Sequence, residues 1–129
     1  MPLVRITLAR GTSGEHRRAI ADGVHRALVD TANVPMSDRF QVIQQVPRED
    51  FYWSPDYLGI ARTGAVAFIQ VFLNQGPTVD VKKALYAAIA QNLAASPGLG
   101  KEDVLVNLIE VSKENRSFGN GLMSYPPAP

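Results

Sequence analysis

Gly11-Thr12-Ser13-Gly14-Glu15-His16-Arg17-Arg18-Ala19-Ile20 is answered, 65 residues on, by Gly76-Pro77-Thr78-Val79-Asp80-Val81-Lys82-Lys83-Ala84-Leu85. Few positions are identical, but the types agree. Glycine falls on glycine, acid on acid, a pair of cations on a pair of cations, and Ala-Ile on Ala-Leu. The same offset puts Ile6 and Leu8 on Val71 and Leu73, Asp38 on Asp103, Val46 on Val111, and Glu49 on Glu114. The register holds without a gap for about 45 residues. Agreement of this kind at a fixed period marks an internal repeat.

Each half reads in the same order. Leu3 to Leu8 and Ala65 to Leu73 are strand-like, by alternation or by an apolar run. Thr12-Ser13-Gly14-Glu15 resembles a capping box, and Thr78 can cap the second helix. Ile20, Val24, Ala27, Leu28 and Thr31 make one helical stripe; Val81, Leu85, Ala88, Ile89, Asn92 and Leu93 make the other. Pro35 and Pro97-Gly98 are the stop signals. Phe40 to Val46 and Val104 to Val111 close the two units. A right-handed crossover makes the strands of each unit parallel.

The expected architecture is therefore α/β (α+β): tandem β-α-β repeats forming a four-stranded sheet with two helices on one face. Asn120-Gly121 is a turn signal and predicts a C-terminal hairpin. One domain is expected over 1–129, with repeat one at about 2–50, repeat two at about 65–115 and a tail at 116–129. The proline-rich end, Tyr125-Pro126-Pro127-Ala128-Pro129, is expected to be extended. The connection from Pro47 to Gly64 holds Phe51-Tyr52-Trp53 and Tyr57, too many aromatic residues for an ordinary solvated loop.

Composition narrows the chemistry. Net charge is +1, so no basic footprint points to nucleic acid. With no cysteine, disulfides, thiol catalysis and thiolate metal sites are excluded. No signal-like or membrane-length apolar run occurs, and a cytoplasmic location without membrane partners is the expectation. His16 and His25, nine residues apart, fall on opposite helix faces and cannot share a metal. Gly119-Asn120-Gly121 opens no helix, so it is not a phosphate loop. Neither a metal nor a cofactor is implied.

The remaining signal is at the start. Removal of Met1 would leave Pro2 with a secondary amine. An ordinary α-amino group titrates at about 7.7–8.0, and burial or a nearby cation lowers that. Pro2 is thus a candidate general base. Met-Pro starts are common in inert proteins, so the weight of this one rests on the rest of the chain.

The chain resembles the tautomerase superfamily, most closely its malonate semialdehyde decarboxylase branch. The likeness is carried by Met1-Pro2-Leu3-Val4-Arg5, by the helix segment 21–30, and by Val34-Pro35-Met36-Ser37-Asp38-Arg39-Phe40-Gln41. Leu58-Gly59-Ile60-Ala61-Arg62 and Ser117-Phe118-Gly119-Asn120-Gly121 also match. The resemblance implies an N-terminal proline acting as acid or base on oxo acids and their enols, helped by Asp38. It also implies a homotrimer with the proline near a subunit boundary. The branch carries two arginines after its third strand; this chain has Leu73-Asn74-Gln75-Gly76-Pro77. Arg116 stands where the branch usually has tryptophan.

Losing those cations weakens the case for decarboxylation and leaves proton transfer as the less demanding chemistry. The expected reaction is keto–enol proton transfer on a small 2-oxo acid or enol, with Pro2 as base and Asp38 orienting the amine or a water. Arg39 and Arg116 are the candidate carboxylate ligands, with Arg62 behind them; Gln75, Phe118 and Tyr125 are further candidates for substrate contact. Decarboxylase or hydratase action on a 3-oxo acid such as malonate semialdehyde is the alternative in chemistry. A non-catalytic ferredoxin-like binding module is the alternative in class.

Overall fold

The computed structural model describes residues 2–128. Met1, whose removal the catalytic reading needs, and Pro129 at the end of the tail lie outside them. Strand β1 (Leu3–Ala9) leads into helix α1 (Gly14–Ala32), which returns as β2 (Gln41–Val46). After the connection, β3 (Ala67–Asn74), α2 (Val79–Ala95) and β4 (Val104–Val111) repeat the pattern. The strand order is β2-β1-β3-β4. Pairing is parallel within each unit and antiparallel where β1 meets β3.

The 65-residue interval is written into the local geometry. Helix α1 begins at residue 14 and α2 at residue 79. The Ser13 hydroxyl accepts from the His16 N–H, and Thr78 accepts from Val81 in the same way. Gly11 and Gly76, where each strand hands over to its helix, have φ of 108° and 145°, a region that side-chain-bearing residues rarely enter. Short 3₁₀ turns follow β2 at Arg48–Asp50 and β4 at Lys113–Asn115.

Alternation in the strands decides which face is covered. Val4, Ile6 and Leu8 of β1 and Ile69, Val71 and Leu73 of β3 are buried beneath the helices. Ile20, Val24, Ala27 and Leu28 of α1 meet them, with Leu85, Ile89 and Leu93 of α2. The opposite face carries Leu3, Val42 and Leu105, all exposed. The two helices meet at Gly23, whose carbonyl accepts from Asn92 Nδ2 at 2.9 Å.

Two details differ from the sequence expectation. Helix α1 ends at Asn33, left-handed at φ 59°, two residues before Pro35. Asn33 is the stop because asparagine enters the left-handed region at low cost and frees the chain from the helix. The tail closes as a tight turn rather than a strand hairpin. Asn120 (φ 58°) and Gly121 (φ 69°) have the type I′ conformation, and the Leu122 N–H donates to the Gly119 carbonyl at 3.3 Å. Its arms are joined by Ser124 N–H to the Arg116 carbonyl at 3.1 Å, and no strand forms. The prolines beyond lack the donors a ladder would need.

Two anchors fix the aromatic connection. The Asp103 carboxylate accepts from the Thr63 N–H at 2.7 Å and the Thr63 hydroxyl at 2.6 Å. Phe51 is buried, with its ring 4.8 Å from that of Phe68 and 5.3 Å from that of Trp53. Tyr52, Tyr57 and Leu58 remain exposed. No helix among the described residues is long and apolar enough to cross a membrane.

The Gly23 contact makes a direct test of helix packing. A Cβ there would lie 2.8 Å from Leu93 Cδ2. Gly23→Val should therefore destabilise the fold by about 1–3 kcal/mol, as overpacking of a close contact does. Urea unfolding of both proteins checks it; equal midpoints would mean the helices separate freely.

Candidate active site

Pro2 is buried at the head of β1. The next residues tie this end of the strand down: Val4 N–H donates to the Phe40 carbonyl at 2.9 Å, and Leu3 lies opposite Phe72. The turn that brings the chain to Phe40 carries Asp38, whose N–H donates to the Pro35 carbonyl at 2.9 Å. His25 supports this turn from α1. It is buried, and its Nε2 is 2.8 Å from the Met36 carbonyl, so Nε2 carries the proton that the carbonyl accepts.

Asp38 is itself 6% exposed, and both carboxylate oxygens are buried without a hydrogen-bond partner. Burial raises its pKa above the usual carboxylate range. Positive charge at the amino terminus, on Arg116 and on His25 pulls the other way. A buried acceptor pair with nothing to accept from is unusual, because such groups are normally satisfied.

Arg116 follows the 3₁₀ turn after β4 and folds back over the end of β3. Its Nη2 donates to the Phe72 carbonyl at 2.6 Å, while its Nε is buried with no partner. Burial lowers its pKa, and the neighbouring Tyr125 phenol and Asp38 carboxyl counter that. The guanidinium carbon lies 5.6 Å from the centre of the Phe118 ring. Phe118 in turn packs on Phe40, with ring centres 5.3 Å apart, and meets Tyr125 edge-on at 6.2 Å.

Beside them an open cleft of about 600 Å³ lies on the uncovered side of the sheet, and neither Pro2 nor Asp38 is among its lining residues. Its walls include Leu3, Phe40, Phe72, Val111, Arg116 and Phe118. Arg116 is the only charged side chain among the described residues that line it.

Several sequence candidates do not meet there. Arg39 Nη2 is held 2.7 Å from Asp22 Oδ1, and its Nε donates to Gln41 Oε1 at 2.8 Å, so it serves the outer surface of α1. Gln75 is exposed; its backbone N–H extends the β3–β4 ladder to the Val111 carbonyl at 3.0 Å, and it is not a lining residue. Arg62 Nη1 faces the carbonyls of Ser54, Tyr57 and Ile60 at 3.3–3.4 Å and holds the connection together. Phe118 lies in the wall; Tyr125 meets its ring edge-on but is not a lining residue. The sequence reading did not single out Leu3, Phe40, Phe72 or Val111. The signal was present: Leu3 and Phe72 are out of phase with the buried Val4 and Val71, which assigns them to the opposite sheet face.

Comparison with known proteins agrees with this geometry. Two family models described as "Tautomerase enzyme" match, one over residues 38–119 and the other over 2–61. The probable tautomerase YusQ of Bacillus subtilis (strain 168) is 38% identical over 121 residues, covering 94% of this chain and 95% of its own. The crystal structure of FG41 malonate semialdehyde decarboxylase inhibited by 3-bromopropiolate superposes with a TM-score of 0.90. It is 38% identical, over 95% of this chain and 93% of that one. A second malonate semialdehyde decarboxylase structure gives a TM-score of 0.89 at 28% identity, over 94% and 93% of the two chains. A fused 4-OT symmetric trimer gives 0.77 at 26% identity, over 93% and 94%. The chain is an enzyme of the tautomerase superfamily and belongs to its malonate semialdehyde decarboxylase-like branch.

Proposed function

We propose that this enzyme moves a proton between the keto and enol forms of a small 2-oxo acid, with the secondary amine of Pro2 as the base. The observation that carries this reading is the burial of Pro2 beside a turn whose Asp38 carboxylate is buried and unpartnered. In the enol-to-keto direction the amine takes the proton of the enol oxygen as the C=C electrons shift. The prolinium then returns a proton to carbon. Burial disfavours the protonated amine, and a neighbouring carboxylate favours it. Asp38 is suited to accept a hydrogen bond from the transient prolinium and so to keep its pKa near the working pH.

A second reading, decarboxylation or hydration of a 3-oxo acid, is favoured by the likeness to the malonate semialdehyde decarboxylases. Against it stands the segment after β3, where Gln75 and Pro77 occupy the places at which that branch is expected to carry cations. A panel of enols and 3-oxo acids, assayed side by side, separates the two.

The assembly that best fits the chain is a homotrimer. The sheet face opposite the helices exposes Leu3, Val42 and Leu105, and β2 and β4 are free edges in one chain. A closed ring of three covers both liabilities, and the fused 4-OT neighbour is itself a trimer. Light scattering at micromolar concentration should give three chains; a monomer or dimer would contradict it.

Two predictions test the chemistry. Protein purified from its own cells should show, by intact mass, loss of Met1 and no acetyl group. A positioned general base contributes on the order of 10²–10⁴-fold. Pro2→Ala keeps a primary amine, so kcat/KM on the best enol should fall toward that range without vanishing. Turnover within a factor of two of wild type would remove Pro2 from the mechanism.

Asp38 links activity to stability. Its folded-state pKa is raised, so the native state binds more protons than the unfolded chain between the ordinary value and the raised one. Stability is therefore lost as pH rises through that window. Asp38→Asn removes the buried charge, though not the unpaired polar atoms, and should stabilise the fold at pH 7 by about 1 kcal/mol, while lowering kcat. The stability gain should shrink as pH falls toward 4. Thermal unfolding across pH 4–8 reads both; a variant that is less stable at pH 7 would show that Asp38 holds the turn together.

A further inference from the structure

We infer that His25 is a positioning residue for proton transfer, holding the Asp38 carboxylate in place through the Met36 carbonyl. This inference rests on the reading of Pro2 and Asp38 as the proton-transfer pair and adds to it a residue outside the site.

Nothing in the packing of α1 asks for a histidine at position 25. The other side chains it buries include Ile20, Ala21, Val24, Ala27 and Leu28, all apolar, and His25 is 5% exposed among them. A polar ring is costly to bury unless it is hydrogen-bonded. Its Nε2 meets the Met36 carbonyl at 2.8 Å, eleven residues along the chain. An apolar side chain would fill the same space without that cost. The ring is therefore best explained by what it holds.

The segment it holds has no buried side chain of its own before Asp38. Pro35, Met36 and Ser37 are all exposed, Met36 at 66%. Asp38 is buried, yet neither of its carboxylate oxygens has a partner. Its place is thus set by the main chain on either side. After it, the Phe40 carbonyl accepts from the Val4 N–H at 2.9 Å and ties the chain to β1. Before it, the Asp38 N–H closes on the Pro35 carbonyl, which shapes the turn without fixing it to the rest of the protein. The Val34 N–H, 3.4 Å from the Leu28 carbonyl, secures only the start of the segment. The bond from His25 supplies the missing attachment, from a long helix whose own place is set by the core. Reactive groups need such support, because a displacement of about 1 Å in a catalytic constellation costs on the order of 10²-fold.

A double-mutant cycle tests this. His25→Phe keeps a ring of similar size and removes the donor. On the best enol, kcat should fall about 10- to 100-fold while KM changes less than about threefold, because the carboxylate acts in turnover rather than in binding. His25→Gln restores an N–H donor and should recover most of the loss. In an Asp38→Asn background, His25→Phe should cost no more than about twofold, since a residue acting through Asp38 has nothing left to position. A residue that only supports the fold would lower kcat equally in both backgrounds. NMR titration of the Pro2 amine adds a readout without turnover. A neighbouring carboxylate favours the prolinium, so Asp38→Asn should lower the amine pKa, and His25→Phe should lower it too. A histidine acting by its own positive charge would give the opposite sign. The inference is overturned if the kcat losses are additive, or if His25→Gln is no better than His25→Phe. It is also overturned if Asp38→Asn lowers the amine pKa and His25→Phe does not. Where His25→Phe does not fold, His25→Leu runs the same cycle. Failure of the proton-transfer reading looks different: Pro2→Ala or Asp38→Asn then matches wild-type kinetics, and this inference falls with it.

Discussion

Leu3 lies opposite Phe72 and Leu8 opposite Ala67 because β1 and β3 run antiparallel in the middle of the sheet. That single pairing joins two units whose internal pairings are parallel. It also sets the head of β1 beside the tail of β3. The amino-terminal residues, the turn before β2 and the segment after β4 then meet at one end of the sheet. A slip of one residue would send Leu3 and Phe72 to the helix side and Val4 and Val71 into solvent. The buried Val4, Ile6, Ile69 and Val71 hold the register, so the core determines where the cleft opens.

The site spends part of the stability that the core supplies. Asp38 is buried with two unused acceptors and Arg116 with an unused donor, yet the two are not hydrogen-bonded to each other. Pairing them directly would satisfy both and leave neither available. Their separation is maintained from outside, by His25 under the Asp38 turn and by the Phe72 carbonyl holding Arg116. Preorganised polar groups of this sort commonly lower stability in exchange for function.

The sequence made the scaffold legible because the scaffold is periodic. Thr78, Gly11 and Gly76, and the core of the two apolar stripes follow from spacing alone and are where the structure has them, whereas the capping box read at Thr12–Glu15 gives way to a cap one residue on, Ser13 accepting from His16. Pro2 and Asp38 were singled out through motif, and the structure buries both. The cation question was not legible. Arg39 follows Asp38 directly in the chain, but the next residue along the turn points its side chain the other way, toward Asp22 of α1. Arg116 reaches the cleft through a 3₁₀ turn and a backbone carbonyl on a different strand. Contacts of that kind depend on non-local geometry, which spacing does not encode. The tail shows the same limit: its turn residues were readable, but whether its arms would pair was decided by the prolines beyond and by Arg116.

Asp38 and Asp103 occupy the same position in the two repeats, and both are buried. Their fates differ. Asp103 is saturated by the backbone and hydroxyl of Thr63, while Asp38 is left bare. The residue that corresponds to Pro2 in the second unit is Ala67, the first residue of β3, whose nitrogen is locked in an amide. Only one terminus exists per chain, so duplication doubled the architecture without doubling the amine. The second acid was free to become a structural clamp. An irreversible reagent directed at a free Pro2 amine should accordingly saturate at one equivalent per chain, however symmetrical the backbone looks.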